Sequence, residues 1–152
     1  MPWKTILVPH DFSSCANQAA ALARDVAQSH GAKLVLLHVA QLPAGWDPDA
    51  MIAATPTDVP QPARQVASAG ARGHLDDLAG RLRKDGLDVS TTCVFGDVVD
   101  EILAASRREG ADLIVMGTNG RSGLAHMVVG SVTEKVVRQA SVPVMTLRAA
   151  ED

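Results

Sequence analysis

Much that would betray a specialised protein is missing from this sequence, and each absence narrows the field. No apolar stretch approaches the roughly 20 residues that would span a bilayer, so nothing points to a membrane. A basic footprint is missing too. Fourteen Lys and Arg against 17 Asp and Glu leave a net charge of -3, which offers nothing to a nucleic acid. Cysteine is scarce, and Cys15 and Cys93 have no CxxC or Cys/His ligand spacing, so they read as small buried hydrophobes rather than redox or metal groups. The two best-known nucleotide motifs, GxxxxGK[ST] and GxGxxG, are absent. So is any catalytic constellation: no histidine and serine are linked by spacing, no pair of carboxylates is tied to a reaction, and no metal-ligand cluster appears. The opening MPWKTILVPHD enters a strand-like segment without the features of a secretory signal, and the expected address is cytoplasmic.

What is present is the patterning of one domain, expected over residues 1–152, with 47% hydrophobic residues. A chain of this length buries roughly 70% of the surface its unfolded form exposes, so neither a disulfide nor a metal is needed for stability. Short β-branched runs at Thr5 to Val8, Leu34 to Val39, Val89 to Val94, Leu113 to Met116 and Val142 to Leu147 read as five strands. Between them, apolar residues recur at helical spacing. Ala19, Leu22, Ala23, Val26 and His30 share one face; Ala71, Leu75, Leu78 and Leu82 a second; Val98, Ile102 and Ala105 a third; Val132, Val136 and Ala140 a fourth. Gly31, Gly86 and Gly110 each stand where a helix must end in a left-handed residue shortly before a strand. Pro143 lacks a backbone donor, which sends the fifth strand to a sheet edge or makes it irregular.

Alternation of this kind predicts a three-layer, doubly wound α/β fold: a five-stranded parallel sheet of order 3-2-1-4-5 with helices on both faces. Ligands of such sheets bind beyond the carboxyl ends of the strands, where the winding reverses. The loops flanking that crevice are VPHDFS after the first strand and GTNGRSG after the fourth. The second opens MGTNGRSGLAHMVVGSVTEKVV, Met116 to Val137, which carries Gly117, Gly120, Gly123 and Gly130. Gly117 and Gly120 are expected to adopt backbone conformations closed to other residues and to bring main-chain N–H groups close to an anion. Ser131 opens a helix whose free N–H groups and positive dipole end attract phosphate. Each such contact contributes roughly 0.3 to 1 kcal/mol when exposed, so several must converge to reach the roughly 8 kcal/mol of micromolar binding. The same residues also fit a purely structural pattern. Ser131-Val-Thr-Glu134 matches a capping box, and Asn119-Gly120 is a common turn dipeptide. Local chemistry leaves both readings open.

The spacing carries the matter further. Gly117-Thr-Asn-Gly120, nine residues, then Gly130-Ser131 fits G-x2-G-x9-G-[S/T]. In this the chain resembles the universal stress protein family, whose ATP-binding members carry that signature. ILVPHDFS, LVLLHV, DLIVMGTNGRSG, GSVTEKVV and VPVMTLR look like the family in the same order, from about Lys4 to Arg148. The resemblance implies ATP as ligand, with Mg²⁺ as the phosphates' counterion. It places Asp11, after Pro9, near the ribose and adenine end, and the main chain of Val39 against adenine. Met116 and Gly117 then border the nucleoside, while Gly120, Gly130, Ser131 and Val132 surround the phosphates. It also implies a homodimer, for which the fifth strand is a candidate edge.

Other residues keep two readings. Asp11 doubles as a turn residue beside the Ser13 helix cap, and Gly123, outside the signature, is a local turn residue. Arg121 reaches a terminal phosphate or is simply solvated, and His10 and His126 lie near the site as bystanders. Gly96-Asp97-Val98 departs mildly from the family pattern, with Asp97 available as an N-cap. Residues 41–62, with Pro43, Pro48, Pro56, Pro60, Pro62 and Trp46, form a flexible connection that is either a flap over the nucleotide or disordered. Three functions fit: an ATP-responsive stress regulator, a slow ATPase or phosphotransfer enzyme, and a nucleotide-free dimeric scaffold.

Overall fold

The computed structural model describes residues 2–118 and 130–148. Asn119, Gly120, Arg121, Gly123 and His126 therefore lie outside the described residues. The elements run β1 (Thr5–Pro9), α1 (Ser14–His30), β2 (Lys33–Ala40), β3 (Met51–Ile52), β4 (Gln61–Pro62), α2 (Ala63–Lys84), β5 (Val89–Phe95), α3 (Val98–Arg108), β6 (Leu113–Gly117), α4 (Ser131–Gln139) and β7 (Val144–Leu147).

Five strands pair in the order β5-β2-β1-β6-β7, every neighbouring pair parallel. In chain order of those strands this is 3-2-1-4-5, as the alternation predicts. The strands read as unbroken apolar runs because both faces are covered. Along β1 and β2 the side chains alternate: Ile6, Val8, Leu34 and Leu36 pack with Ala19, Ala23 and Ala27 of α1 and Leu75, Ala79 and Leu82 of α2. Leu7, Val35 and Leu37 point the other way, onto Val99, Ile102 and Leu103 of α3 and Val136 of α4. Helix α1 lies close to the sheet because its buried face is nearly all alanine. It ends at Gly31, whose φ of 66° is left-handed and whose N–H bonds the Ala27 carbonyl.

Two expectations need correction. The periodicity at Ala71 captures only the second half of α2, which starts at Ala63. Its first turns carry Ser68 and Gly70, which dilute the apolar stripe. Without a side-chain cap, the helix begins where the preceding loop supplies acceptors: Ala63 N–H bonds the Ala50 carbonyl at 2.8 Å and Arg64 N–H that of Pro48 at 3.1 Å. That loop also carries the short antiparallel β3–β4 ladder, which the sequence did not announce. The fifth sheet strand starts at Val144 rather than Val142. Pro143 stays outside it and lends its carbonyl to Ile114 N–H at 3.0 Å, at the sheet edge that a missing donor requires.

Candidate functional site

A cavity of about 590 Å³ opens beyond the carboxyl ends of β1 and β6, where the winding reverses. That volume lies within the range of small-molecule sites. Pro9, Asp11, Val39, Met116, Gly117, Gly130, Ser131 and Val132 all line it, so the fold brings together every expected site residue that is described. Gly120 and Arg121 lie outside the described residues. Of residues 41–62, Gln41 alone is on the wall. Helices α2 and α3 contribute walls that motif reading missed: Ala67, Ala71 and His74 from the first, Val98 and Ile102 from the second. Their only sequence signal is ordinary helical periodicity, which does not distinguish a cavity wall from core.

The loop after β1 is closely organised. Asp11 Oδ1 accepts the Ser13 N–H at 3.0 Å, and Ser13 Oγ caps α1 by accepting the Ala16 N–H at 3.1 Å. Asp11 is thus a turn residue and a cavity residue at once. Between them Phe12 has φ 65°, a left-handed conformation that a non-glycine residue holds only where its surroundings demand it. Those surroundings are three histidines, with ring centroids 5.3 Å (His10), 4.6 Å (His38) and 5.7 Å (His74) from the Phe12 ring.

His10 is the organiser. Its Nδ1 accepts the Phe12 N–H at 3.0 Å, so the ring proton sits on Nε2, which donates to Asn17 Oδ1 at 3.0 Å. Its carbonyl accepts from His38 Nδ1 at 2.7 Å. Burial pushes the His10 imidazole below its ordinary value; the Asn17 bond and the Asp11 charge oppose this, while His38 and Arg81 add to it. The bystander reading of His10 is corrected accordingly: it holds the shape of the loop that carries Asp11.

The other side of the cavity is built differently. Gly130 is the N-cap of α4 in extended conformation, with no side-chain cap bond, and Ser131 is already the first helical residue. The capping box is therefore not formed. Glu134 bonds Arg138 at 2.8 Å one turn further on, and Ser131 is exposed. Among the described residues no side chain closes this end, so the orphan N–H groups of its first turn are left to the cavity that Gly130, Ser131, Val132 and Thr133 line.

The glycines here serve packing. Gly117 has no positive φ, contrary to the expectation of a special backbone conformation. A Cβ there would overlap the Cys15 sulfur and lie 3.3 Å from the Cys15 carbonyl. A Cβ on Gly130 would sit 2.9 Å from the Thr118 carbonyl oxygen, which the Gly130 N–H itself approaches to 2.6 Å. The expected close approach is thus, at both described glycines, an approach to protein.

Taken together, Val39, Val98, Ile102 and Met116 give the cavity apolar walls, and the first turn of α4, without a side-chain cap among the described residues, gives it an end that favours an anion. Fold and cavity define a doubly wound α/β protein with a ligand-sized crevice at its switch point. The chain belongs to the universal stress protein family, whose model matches residues 2–148. It is 35% identical to the "universal stress protein in QAH/OAS sulfhydrylase 3'region" of Thermus aquaticus, covering 96% of this chain and 99% of that one. Among solved structures it resembles universal stress protein UspA from Lactobacillus plantarum, with TM-score 0.76, 25% identity and coverage of 97% and 99%. A universal stress protein solved in complex with cAMP has the same fold, with TM-score 0.70 and 22% identity over 99% and 100% of the two chains. Among the described residues no helix is long and apolar enough to cross a membrane.

Proposed function

We propose that the chain binds ATP in this cavity and acts in the cytoplasm as a nucleotide-responsive stress regulator. The observation that carries the reading is the start of α4, which has no side-chain cap among the described residues, set at the switch point against a cavity with apolar walls. The adenosine part lies between the β1 and β2 ends, against Pro9, Asp11 and Val39, with Met116 and Gly117 bordering it. The phosphates meet Gly130, Ser131 and Val132 together with Gly120 and Arg121, and Mg²⁺ accompanies them as counterion. That one structural neighbour holds cAMP, also an adenine nucleotide, is in keeping with this choice of base.

The output is a homodimer whose shape or stability depends on the nucleotide. Strand β7 ends the sheet and leaves a row of backbone groups for a twin strand. Val142 before it and Val144 at its start are only half-buried, and Val137 of α4 is 51% exposed. Calorimetric titration of the purified chain with Mg-ATP tests the binding: a saturable heat is expected, and its absence in the wild type removes the proposal. Sedimentation with and without ATP tests the output, which requires the nucleotide to change the monomer–dimer balance or the sedimentation coefficient.

A further inference from the structure

Thr118 follows β6 and stands on the cavity wall. Both of its main-chain groups are paired: the N–H donates to the Leu147 carbonyl at 2.9 Å, and the carbonyl accepts the Gly130 N–H at 2.6 Å. Its side chain is not. Thr118 is 6% exposed, and its Oγ1 is the single buried side-chain polar atom among the described residues that has no hydrogen-bond partner. A buried hydroxyl left unsatisfied is uncommon and costs stability, so it calls for an explanation. Thr133, close by, is the contrast: its hydroxyl donates to the Gly117 carbonyl at 2.9 Å.

The place of the orphan supplies the explanation. Thr118 lines the cavity and, through its carbonyl, touches the residue that caps α4, so it stands at the same end of the cavity as the first-turn N–H donors of that helix. Among the described residues two features at this end of the cavity are left without a partner that an oxygen-rich group could supply: a helix start with no side-chain cap and a buried hydroxyl. The motif position gives Thr118 no assigned role, since it is a free position between the two glycines of the spacing.

We propose that the Thr118 hydroxyl is a ligand-binding group of this cavity, donating its O–H to an anionic oxygen of the nucleotide held at the start of α4. The inference rests on the nucleotide reading above. Threonine χ1 wells lie about 120° apart, so one rotamer step exchanges methyl and hydroxyl at the wall. A bond to an ionised oxygen is the stronger, charge-assisted kind. Stability withheld in the empty protein is thereby returned as affinity when the anion arrives.

Thr118→Val removes the hydroxyl at nearly constant shape, and Thr118→Ser keeps it. Mg-ATP is titrated calorimetrically into the wild type and both variants, and each is melted without nucleotide. T118V is expected to bind at least about tenfold more weakly, while its nucleotide-free Tm equals the wild-type value or exceeds it by about 2–4 °C. T118S is expected to keep most of the affinity. A structural role would instead lower affinity and Tm together in T118V, and that result overturns the proposal. Wild-type affinity in T118V overturns it too, while leaving the nucleotide reading intact. A wild type without saturable heat overturns both.

Discussion

Two helices start at the cavity, α1 after the first strand and α4 after β6, and they start in opposite ways. At α1 side chains close the start: Ser13 caps the Ala16 N–H, Asp11 accepts the Ser13 N–H, and His10, bonded to Asn17, accepts the Phe12 N–H. At α4 the N-cap is a glycine and, among the described residues, the first-turn donors lack a side-chain partner and the nearby Thr118 hydroxyl has none. Helix α3, which opens with Asp97 accepting the Asp100 N–H at 3.0 Å, is finished in the manner of α1. The sequence offered α4 a serine and a glutamate in capping-box register, but the chain starts the helix one residue too early to use them. The difference separates a loop built to hold its own shape from one that keeps donors in reserve.

The largest expected effect comes from Gly130→Val, which puts a branched side chain against the Thr118 carbonyl. Overpacking of this kind costs about 1–3 kcal/mol, so urea denaturation should register a clear loss of stability along with the loss of ATP binding. Loss of binding at unchanged stability would mean that the carbonyl yields and that the glycine serves the ligand alone.

A smaller effect tests the comparison itself. Ser13→Ala removes a working cap and should cost about 1 kcal/mol. Ser131→Ala removes a hydroxyl that caps nothing among the described residues and should stay within about 0.5 kcal/mol of the wild type while weakening ATP binding. Equal losses of stability in the two variants would erase the distinction between the helix starts.

Smaller again is the pH dependence contributed by His10. Its folded value lies below the ordinary 6.5 because burial opposes the charge, so the unfolded chain takes up the proton first. The stabilising contribution is therefore complete above pH 6.5 and is lost as pH falls from there through the depressed folded value. Protonation also places a hydrogen on Nδ1, where the Phe12 N–H now donates. His10→Asn keeps an acceptor for that N–H and cannot titrate. Melting curves between pH 7.5 and 5.5, a window of about one unit either side of an ordinary histidine, should fall less steeply for this variant, and an unchanged slope would contradict the role given to His10.

The sheet was legible because burial on both faces turns strands such as Leu34–Leu37 into unbroken apolar runs, and because Gly31, Gly86 and Gly110 mark helix ends by their left-handed φ. The position of the cavity followed from topology alone. Less was legible in α2, whose early glycines hide its periodicity and whose first donors are satisfied by a loop ladder that no local pattern encodes. The reason for Gly117 was also hidden, since it lies in Cys15, distant in sequence and adjacent only in the fold. Thr118 carries no sequence signal for the same cause: a buried hydroxyl without a partner among the described residues arises only in the fold, and a threonine between two glycines is ordinary in sequence.

The most direct test reads the backbone amides of the two helix starts during one titration. In ¹⁵N-resolved spectra of the wild-type chain with rising Mg-ATP, the amides of Ser131, Val132 and Thr133 should show large saturable shifts. The Ala16 amide, already bonded to Ser13, should move little. Saturation that shifts other residues and leaves those three amides in place would contradict the assignment of the α4 start as the anion site.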